Sequence, residues 1–243
     1  MNLDADKKYN LIIGASSAIA QALVAKLIEK NEYIIGITRN KESLIKHDNI
    51  QYLESDYTEA AVNDSVSKLE PIRGNVERVI ICNGILHDEH TFPEKAAKEF
   101  TMEQYQHVVM ANSAIPMLWL SRLLPIMKGD DTCHVVVFSA RIGSIGDNKL
   151  GGWYSYRASK AALNMLLKSL AVECARSVKN VKLISFHPGT TDTPLSKPFQ
   201  KRVPEDKLFE PKFVAQQILD YLSTSEPDGQ LDFVDWEHKK VAW

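Results

Sequence analysis

Short apolar runs rich in β-branched residues alternate with longer segments of helical spacing along nearly the whole chain. This alternation predicts an α/β fold with a parallel sheet, because helical crossovers return the chain to the same edge of the sheet. The predicted strands are Tyr9–Ile13, Tyr33–Thr38, Ile50–Glu54, Val76–Cys82, Val135–Phe138, Val181–Phe186 and Leu231–Val234. We therefore expect a doubly wound sheet of about seven parallel strands with helices on both faces, formed by residues 1–243 as a single domain.

The segments between the strands have apolar residues at helical spacing or have loop character. The predicted helices are Ala18–Lys30, Glu59–Leu69, Met102–Met127, Tyr156–Arg176 and Pro211–Leu222. Pro116 should kink the third of these helices or start a second segment within it. The polar stretch Ile85–Phe100 and the proline-containing stretch Thr190–Glu210 are predicted loops, and the second should form a lid beside the site.

The overall charge and the cysteines exclude several kinds of partner. A formal net charge of −2 and a pI near 6.4 give no electrostatic reason to expect nucleic acid or an anionic membrane. Cys82, Cys133 and Cys174 lack metal or disulfide spacing and fit small core residues in a reducing compartment. The polar first residues do not resemble a signal peptide, and no uninterrupted apolar run approaches the ~20 residues of a membrane span. We expect a cytoplasmic protein.

Two further sequence patterns suggest a metal site and a hydrolase triad, but each lacks the additional residues that such a site needs. The run from His87 to His90 contains ligand types, yet it lies in a polar loop without further ligands nearby in sequence. A zinc site needs three or four convergent ligands, so we expect a solvated loop and no metal centre. Ser155 and Ser159 flank Tyr156 without a paired histidine, and a hydrolase triad is therefore not expected.

The pair Tyr156 and Lys160 is the strongest chemical signal in the sequence. The two residues are four apart in a predicted helix and therefore share one of its faces. An ammonium group beside a phenol favours the ionised phenolate, so the pKa of Tyr156 is expected to fall toward the range of an acid/base catalyst. The helix follows the buried strand Val135–Phe138 and a loop rich in serine and glycine, which places the pair beyond the carboxyl end of that strand.

The turn after the first strand has the character of an anion site. Gly14 permits the tight turn, and the N–H groups of the helix that begins at Ala18 would face a phosphate. An acidic residue about 20 positions later would hold the ribose of NAD, but the chain has neutral Thr38 followed by Arg39. A guanidinium suits a 2′-phosphate, so NADP(H) is favoured and NAD(H) is the alternative cofactor. The competing interpretation is that Arg39 is a solvated surface residue.

Taken in order, these motifs resemble those of the short-chain dehydrogenase/reductase family over nearly the whole chain. The matching pieces are Gly14–Ala20, Asp56, Asn83-Gly84, Asn112, Tyr156-x-x-x-Lys160 and Pro188-Gly189-x-x-x-Thr193. The stretches GWYSYRASKAALN and GSIGDN are most similar to C-factor-like and carbonyl-reductase-like members. The resemblance implies a Rossmann-type fold, an NAD(P)-dependent reaction on a small carbonyl or alcohol, and a homodimer or homotetramer.

The resemblance also implies a role for each matching residue. Tyr156 would exchange a proton with the substrate oxygen, Lys160 would bind the nicotinamide ribose and lower the tyrosine pKa, and Asn112 would hold a water of the proton relay. Together with Arg39, the positions expected to contact the cofactor are Gly14, Ser16, Ser17, Ala18, Ile19, Asp56, Tyr57, Asn83, Gly84, Asn112, Tyr156, Lys160, Pro188, Gly189, Thr191 and Thr193.

The chain departs from the family pattern at two places. Counting from Gly143 puts Ala140 where the family has a serine that polarises the substrate carbonyl. Ser139 or Ser144 could replace it; an extended strand would turn Ser139 to the other side, so Ser144, on a loop twelve residues before Tyr156, is favoured. Ala18 stands where a glycine is usual, and its methyl group would crowd the pyrophosphate.

Two hypotheses of function follow. The first is an NADP(H)-dependent oxidoreductase that interconverts a carbonyl and an alcohol, with Tyr156 as the acid/base. The alternative is a cofactor-binding signalling or regulatory protein, similar to C-factor, in which catalysis is weak or absent; Ala140 motivates it. Leu195, Phe199 and Phe209 in the predicted lid suggest a partly apolar substrate pocket.

Overall fold

The computed structural model describes residues 3–41 and 44–243 and contains the predicted parallel sheet. Within the described residues, the strands are Tyr9–Ile13 (β1), Tyr33–Thr38 (β2), Ile50–Glu54 (β3), Val76–Ile81 (β4), Cys133–Phe138 (β5), Val181–His187 (β6), Thr190–Thr191 (β7), Leu208–Phe209 (β8) and Leu231–Asp235 (β9). Seven of them pair in parallel in the order β3-β2-β1-β4-β5-β6-β9, while β7 and β8 form a separate small ribbon. The prediction of a doubly wound α/β fold is confirmed.

Helices cover both faces of the sheet. In the described part of the chain they are Ala18–Glu29 (α1), Glu59–Ser67 (α2), Met102–Val109 (α3), Ile115–Met127 (α4), Tyr154–Ser177 (α5) and Pro211–Leu222 (α6). The α1 and α6 helices contact each other over one face, and α2, α4 and α5 bury their apolar sides against the other. The strand order reverses between β1 and β4, the position at which doubly wound sheets bind ligands.

Two hydrophobic cores hold the sheet between these helix layers. Side chains along β1 alternate between them: Leu11 and Ile13 pack in the core that contains Trp119, whereas Ile12 packs in the core that contains Leu23. All five residues of β1 are buried, as expected for a central strand covered on both faces. The packed sheet therefore presents the carboxyl ends of its strands on a rigid support.

The helical segment from residue 102 to 127 is divided, as one of the two predicted alternatives has it: a second helix, α4, starts beside Pro116, and a π-helical turn joins it to α3. The turn spans Met110–Ala114, and Pro116 lies in the first turn of α4, where the missing N–H is tolerated. Asn112 and Ser113 are buried in this turn, and the Ser113 hydroxyl donates to the Ser159 carbonyl oxygen at 2.6 Å. A π turn of this kind is frequent at functional sites, and here it directs two polar side chains toward α5.

The same segment, Met102–Met127, is by length and composition able to cross a membrane. However, Trp119, Leu120, Leu123 and Ile126 are fully buried in the core beneath α4. Packing against the sheet accounts for the apolar character of this helix, so length and composition alone are weak evidence for a membrane span.

Candidate active site

Two cavities meet at the carboxyl edge of the sheet, and Tyr156 lies in the wall of both. The larger cavity, of about 410 Å³, is bounded by the turn after β1, the ends of β4 and β5, and Lys160. The smaller, of about 290 Å³, extends from Tyr156 toward the segment that follows β6. Because the two cavities share the tyrosine, a ligand in each would meet at the Tyr156 side chain.

The glycine turn after β1 has the geometry of an anion site. Gly14 has φ of +78°, and a Cβ atom there would lie 2.7 Å from the backbone nitrogen of Asn83. The Ser17 hydroxyl caps α1 by accepting from the Ala20 N–H at 3.3 Å. The earlier N–H groups of the first turn have no partner within a helix, and Ser16 to Ile19 line the larger cavity.

Tyr57 supports this turn from below instead of lining the larger cavity. Its hydroxyl accepts from the Gly14 N–H at 3.1 Å and lies 3.4 Å from the Ile37 carbonyl oxygen. The side chain is buried, and burial raises the pKa of Tyr57 to about 12. Tyr57 therefore remains a neutral phenol that fixes the position of the Gly14 turn.

The end of β2 carries a neutral and a basic residue, Thr38 and Arg39, and Thr38 contacts the turn after β1. Thr38 is buried, and its hydroxyl lies 3.2 Å from the Ser16 hydroxyl. Arg39 is exposed, with its guanidinium carbon 5.9 Å from the centre of the Tyr57 ring. Asp56 is exposed too; hydrogen bonds from the Thr58 hydroxyl and N–H lower its pKa. Among the described residues, neither Arg39 nor Asp56 forms part of the cavity wall.

The residues after β4 leave room and an unused acceptor for a ligand. The Asn83 amide donates to the Ala111 carbonyl oxygen at 3.2 Å, while its Oδ1 is buried without a hydrogen-bond partner in the described chain. A Cβ atom at Gly84 would lie 3.1 Å from Asn112 Oδ1 and 3.7 Å from Lys160 Nζ. The small residue keeps open the space above Lys160, and these features fit a dinucleotide in the larger cavity.

Burial dominates the electrostatics of the Tyr156–Lys160 pair. Lys160 is 4% exposed, donates from Nζ to the Phe138 carbonyl oxygen at 2.8 Å, and lies 5.9 Å from the centre of the Tyr156 ring. Burial lowers the pKa of Lys160 to about 8 and raises the pKa of Tyr156 to about 12. The predicted fall of the tyrosine pKa is therefore wrong for the protein alone, because desolvation disfavours the phenolate. Tyr156 is a protonated acid at neutral pH.

Asn112 joins the loop after β4 to α5. Its Oδ1 accepts from the Ile85 N–H at 2.7 Å, and its Nδ2 donates to the Ile85 carbonyl oxygen at 2.9 Å and to the Ser159 hydroxyl at 3.1 Å. These bonds use both ends of a fully buried amide. The structure thus gives Asn112 a positioning task, and the expected role in a proton relay stays a prediction.

The structure does not favour Ser144 as the replacement for the missing serine. In the described chain, the cavity walls include Ser139 and Ala140 but not Ser144. A 3₁₀ turn at Arg141–Gly143 carries Ser144 away, and its buried hydroxyl accepts from the Asp147 N–H at 3.1 Å. The Ser139 hydroxyl donates to Asn164 Oδ1 at 2.8 Å. Ala140, at the position where a serine was expected, lines the smaller cavity with an apolar side chain.

The smaller cavity has aromatic and apolar walls. The rings of Trp153 and Phe199 are 4.9 Å apart in an edge-to-face arrangement, and Trp153 lies 6.2 Å from the Tyr156 ring. Leu86 and Leu195 add aliphatic surface. None of the described residues that line this cavity is an aspartate, glutamate, lysine or arginine, so the space suits an uncharged molecule.

The segment after β6 supplies the polar side of both cavities. Pro188 and Thr193 line the larger cavity, while Gly189 and Thr191 line the smaller one together with them. The Thr191 hydroxyl is buried and lacks a hydrogen-bond partner among the described residues. The predicted lid, residues 190–210, forms the β7–β8 ribbon and 3₁₀ turns, and it brings Phe199 over the smaller cavity.

Several residues at these cavities escaped the sequence analysis. Cys82 follows β4 and packs against the core that contains Leu23, as expected, but it also lines the larger cavity. Its place was predictable from the rule that strand ends bear ligand sites. His187, at the end of β6, lines the smaller cavity, and burial lowers its pKa to about 4, so the imidazole is neutral. Among residues 3–41 and 44–243, no three metal-ligating side chains are placed to hold an ion.

A doubly wound parallel sheet, a glycine turn at the switch point and a tyrosine–lysine pair beside it define a dinucleotide-dependent oxidoreductase. A family model described as short chain dehydrogenase matches residues 8–204, which shows that the chain belongs to that family. It is therefore a short-chain NAD(P)-dependent dehydrogenase/reductase.

Individual relatives are distant but cover nearly the whole chain. A benzil reductase ((S)-benzoin forming) of Bacillus cereus is 24% identical over 249 residues, covering 94% of this chain and 99% of the relative. Carbonyl reductase Sniffer of D. melanogaster superposes with a TM-score of 0.83 at 22% identity, over 98% of this chain and 100% of that chain. An NADPH-bound carbonyl reductase from chicken fatty liver superposes with a TM-score of 0.83 at 20% identity, over 98% of this chain and 100% of that chain. These likenesses support a carbonyl-reductase-like fold.

Proposed function

We propose that the protein is an NADP(H)-dependent reductase of uncharged carbonyl compounds, with Tyr156 as the acid. The observation that carries the proposal is the position of Tyr156 in the wall shared by the two cavities. A dinucleotide in the larger cavity and a carbonyl compound in the smaller one would meet beside its hydroxyl group. One sheet edge builds both cavities, so a single domain suffices for the reaction.

When bound, the nicotinamide supplies and accepts the hydride. In reduction, Tyr156 donates its hydroxyl proton to the substrate oxygen, and in oxidation the phenolate takes the proton back. Lys160, charged at neutral pH, stabilises the phenolate and bonds the nicotinamide ribose. The Phe138 carbonyl oxygen holds its ammonium group in place at 2.8 Å. Asn112 fixes Ile85 at the edge of the site.

The proposed cofactor sites follow the mouth and walls of the larger cavity. Ser16, Ser17, Ala18 and Ile19 bind the pyrophosphate through the α1 terminus. The adenosine half is proposed to contact Asn83, Gly84 and Asp56, and the nicotinamide half Pro188, Gly189, Thr191 and Thr193. The buried, unpartnered oxygens of Asn83 and Thr191 support this assignment.

The preference for NADP(H) rests on the end of β2. Thr38 offers no carboxylate to a ribose diol, and the exposed Arg39 lies over the Tyr57 ring. Two similar structures carry this cofactor: the NADPH-bound chicken carbonyl reductase and a Burkholderia multivorans short-chain dehydrogenase/reductase with bound NADP. Arg39 is proposed to bond the 2′-phosphate.

Arg39→Ala should lower the affinity for NADPH by about 10–100-fold and leave that for NADH nearly unchanged, because charge-assisted hydrogen bonds to the phosphate are lost. Fluorescence titration of both cofactors measures the change. Arg176→Ala removes an exposed arginine from the end of α5 and is the matched control, expected to change neither affinity. Equal losses of affinity for NADH and NADPH, or no loss for either, would contradict the proposed bond between Arg39 and the 2′-phosphate.

The substrate is proposed to be an uncharged carbonyl compound with an aromatic or bulky apolar group. Trp153 and Phe199 provide ring surfaces for it, and the related enzymes are named benzil and carbonyl reductases. A carbonyl panel with NADPH tests the proposal: kcat/KM should be at least tenfold higher for aryl ketones and diketones than for small keto acids. A preference for the keto acids would contradict it. The catalytically inactive alternative is not favoured by relatives that are named oxidoreductases.

Ala140 stands where the family pattern has a serine, and this difference leads to a further prediction. Ala140→Ser would place a hydroxyl at the wall of the smaller cavity and should raise kcat/KM roughly fivefold, the equivalent of about 1 kcal/mol for one hydrogen bond. Ser144→Ala should change kcat little, because that hydroxyl already accepts from the Asp147 N–H. Steady-state kinetics on one aryl ketone decide both. A tenfold lower kcat in Ser144→Ala would instead show that Ser144 polarises the substrate carbonyl.

Location and assembly are inferred from the surface and the cysteines. Cys82, Cys133 and Cys174 are free thiols, which supports a reducing, cytoplasmic location. Met165 and Val172 expose apolar surface on α5, with 66% and 48% of their areas accessible. This surface supports a homodimer or homotetramer, which analytical ultracentrifugation would measure.

A further inference from the structure

The catalytic helix α5 begins without a capping side chain of its own. Gly151, Gly152 and Trp153 precede it with φ values of +65°, +63° and +54°, so the chain enters through three consecutive left-handed residues. Trp153 occupies the N-cap position, where its indole offers no acceptor to the helix N–H groups. Tyr156 is the third residue of this helix, so its place depends on what fixes the first turn.

Glu94, from the loop between β4 and α3, supplies the missing cap. Its two carboxylate oxygens lie 3.3 and 3.2 Å from the Ser155 N–H nitrogen, and the Ser155 hydroxyl donates to one of them. Its backbone carbonyl oxygen accepts from the Trp153 N–H at 2.5 Å. One residue, 61 positions before Ser155, thus holds both the strained entry and the first turn of α5.

The charge of Glu94 suits this position. The residue is only 2% exposed, and burial acts to raise its pKa, but the hydrogen bonds from Ser155 and its own backbone prevail and the pKa is lowered. The carboxylate is therefore ionised at neutral pH and faces the positive end of the α5 dipole. Glu94 lies in a polar loop, and the donors to its carboxylate lie on a helix that is distant in sequence. Its burial therefore depends on tertiary contacts alone.

The same loop forms part of the substrate cavity. Leu86 lines the smaller cavity, and Phe92 packs against Phe199 with ring centres 5.2 Å apart. The beginning of the loop is tied down by the Asn112 amide, through its two bonds to Ile85. Glu94 fixes the other end of the loop through its bonds to Trp153 and Ser155. It therefore connects the wall of the smaller cavity to α5, the helix that carries Tyr156.

We propose that Glu94 is a positioning residue for catalysis: it caps α5 and thereby holds Tyr156 and Trp153 at the substrate cavity. This inference rests on the proposed function of Tyr156. Ser155, which Glu94 binds, immediately precedes the tyrosine, and Trp153, whose N–H Glu94 also binds, lies against the tyrosine ring. Loss of the cap frees the first turn of the helix, and the acid leaves its reactive geometry more often.

The test compares Glu94→Ala, Glu94→Gln and Glu89→Gln, an exposed control in the same loop. Turnover of an aryl ketone is expressed per NADPH-binding site, which removes any loss from unfolded protein. Glu94→Ala should lower kcat about 10–100-fold with an unchanged NADPH dissociation constant. Glu94→Gln keeps an oxygen acceptor for Ser155 and should stay within about threefold of the wild type, like the control. Unchanged kcat in Glu94→Ala, or equal losses in both Glu94 variants, would overturn the proposal.

Hydrogen exchange gives a readout that does not require activity. The Ser155 N–H is bonded to Glu94, and the Arg157 N–H is bonded to the Trp153 carbonyl oxygen at 2.8 Å. Both should exchange at least tenfold faster in Glu94→Ala, while the amide of Leu167 in the middle of α5 keeps its rate. If the wild type reduced no carbonyl compound, the proposed function would fail, but the exchange rates would still show whether Glu94 caps α5. Unchanged exchange at both amides would overturn it.

Discussion

Tyr156→Phe should lower kcat/KM for carbonyl reduction by about 10²–10⁴-fold, the usual contribution of a positioned general acid. The substitution removes the only atom that the mechanism uses for proton donation and leaves the ring in its place against Trp153. Because the ring stays, the affinity for NADPH should change little. Steady-state kinetics with an aryl ketone and fluorescence titration of NADPH measure the two quantities.

Tyr154→Phe is the matched control for this variant. Tyr154 is the first residue of α5, is 41% exposed, and lies in neither cavity wall among the described residues. Its loss of a hydroxyl should leave kcat/KM within about twofold of the wild type, as for most surface substitutions. Full reductase activity in Tyr156→Phe would show that another group donates the proton.

Lys160→Met should lower kcat/KM by about 10²-fold or more and also weaken NADPH binding. The ammonium group is the one charge placed beside the Tyr156 ring by the described cavity residues, so its removal leaves the developing phenolate without a counter-charge. Methionine has nearly the same length and keeps the packing beneath Gly84. A Lys160→Met enzyme that retained both kcat and NADPH affinity would contradict the role given to the lysine.

The same variant makes a distinct prediction about stability and pH. Burial lowers the pKa of Lys160 from its ordinary 10.5 to about 8, so between these values the unfolded chain binds more protons than the folded one. The free energy of unfolding of the cofactor-free wild type should therefore gain about 2 kcal/mol from this group between pH 8 and pH 10. Lys160→Met should lack that gain. Urea unfolding of both proteins across this range gives the difference, and parallel curves would show that the lysine titrates normally.

The strands and helices were predictable because their signals are local. Tyr9–Ile13 is a short, mostly apolar run with a glycine turn at its end, and its predicted bounds match those of β1. The tyrosine–lysine pair was also predictable, since residues four apart on one helix share a face wherever that helix packs. Gly14 and Arg39 follow strand ends, and the carboxyl edge of a doubly wound sheet fixes their neighbourhood.

The parts that sequence reasoning missed depend on contacts between distant segments. The pKa of Tyr156 follows from its burial, which its four-residue spacing from Lys160 does not report. The direction of Ser144 is set by the 3₁₀ turn before it and by Gly143, where a Cβ atom would lie 2.8 Å from the Lys160 backbone. Glu94 stands in a polar loop whose sequence gives no sign of burial.

The hydrogen bonds of Asn112 could not be predicted from the sequence for a third reason. A new helix starts beside Pro116, as one predicted alternative had it, but the π turn before it was not predicted, and this turn directs the Asn112 amide into bonds with Ile85 and Ser159. Such a turn needs only one additional residue in a helix that otherwise has normal spacing. Hydrophobic periodicity cannot distinguish it from a regular helix, so the consequence for the site appears only in three dimensions.

The most direct test of the central claim is the transfer of label from cofactor to product. The protein is incubated with NADPH dideuterated at the nicotinamide C4 and a diphenyl diketone, and the product is analysed by mass spectrometry and NMR. The proposed reaction predicts an alcohol with one deuterium on the carbinol carbon, formed at a strongly reduced rate by Tyr156→Phe. An alcohol without deuterium at that carbon, or tight NADPH binding with no alcohol from any member of the carbonyl panel, would contradict it.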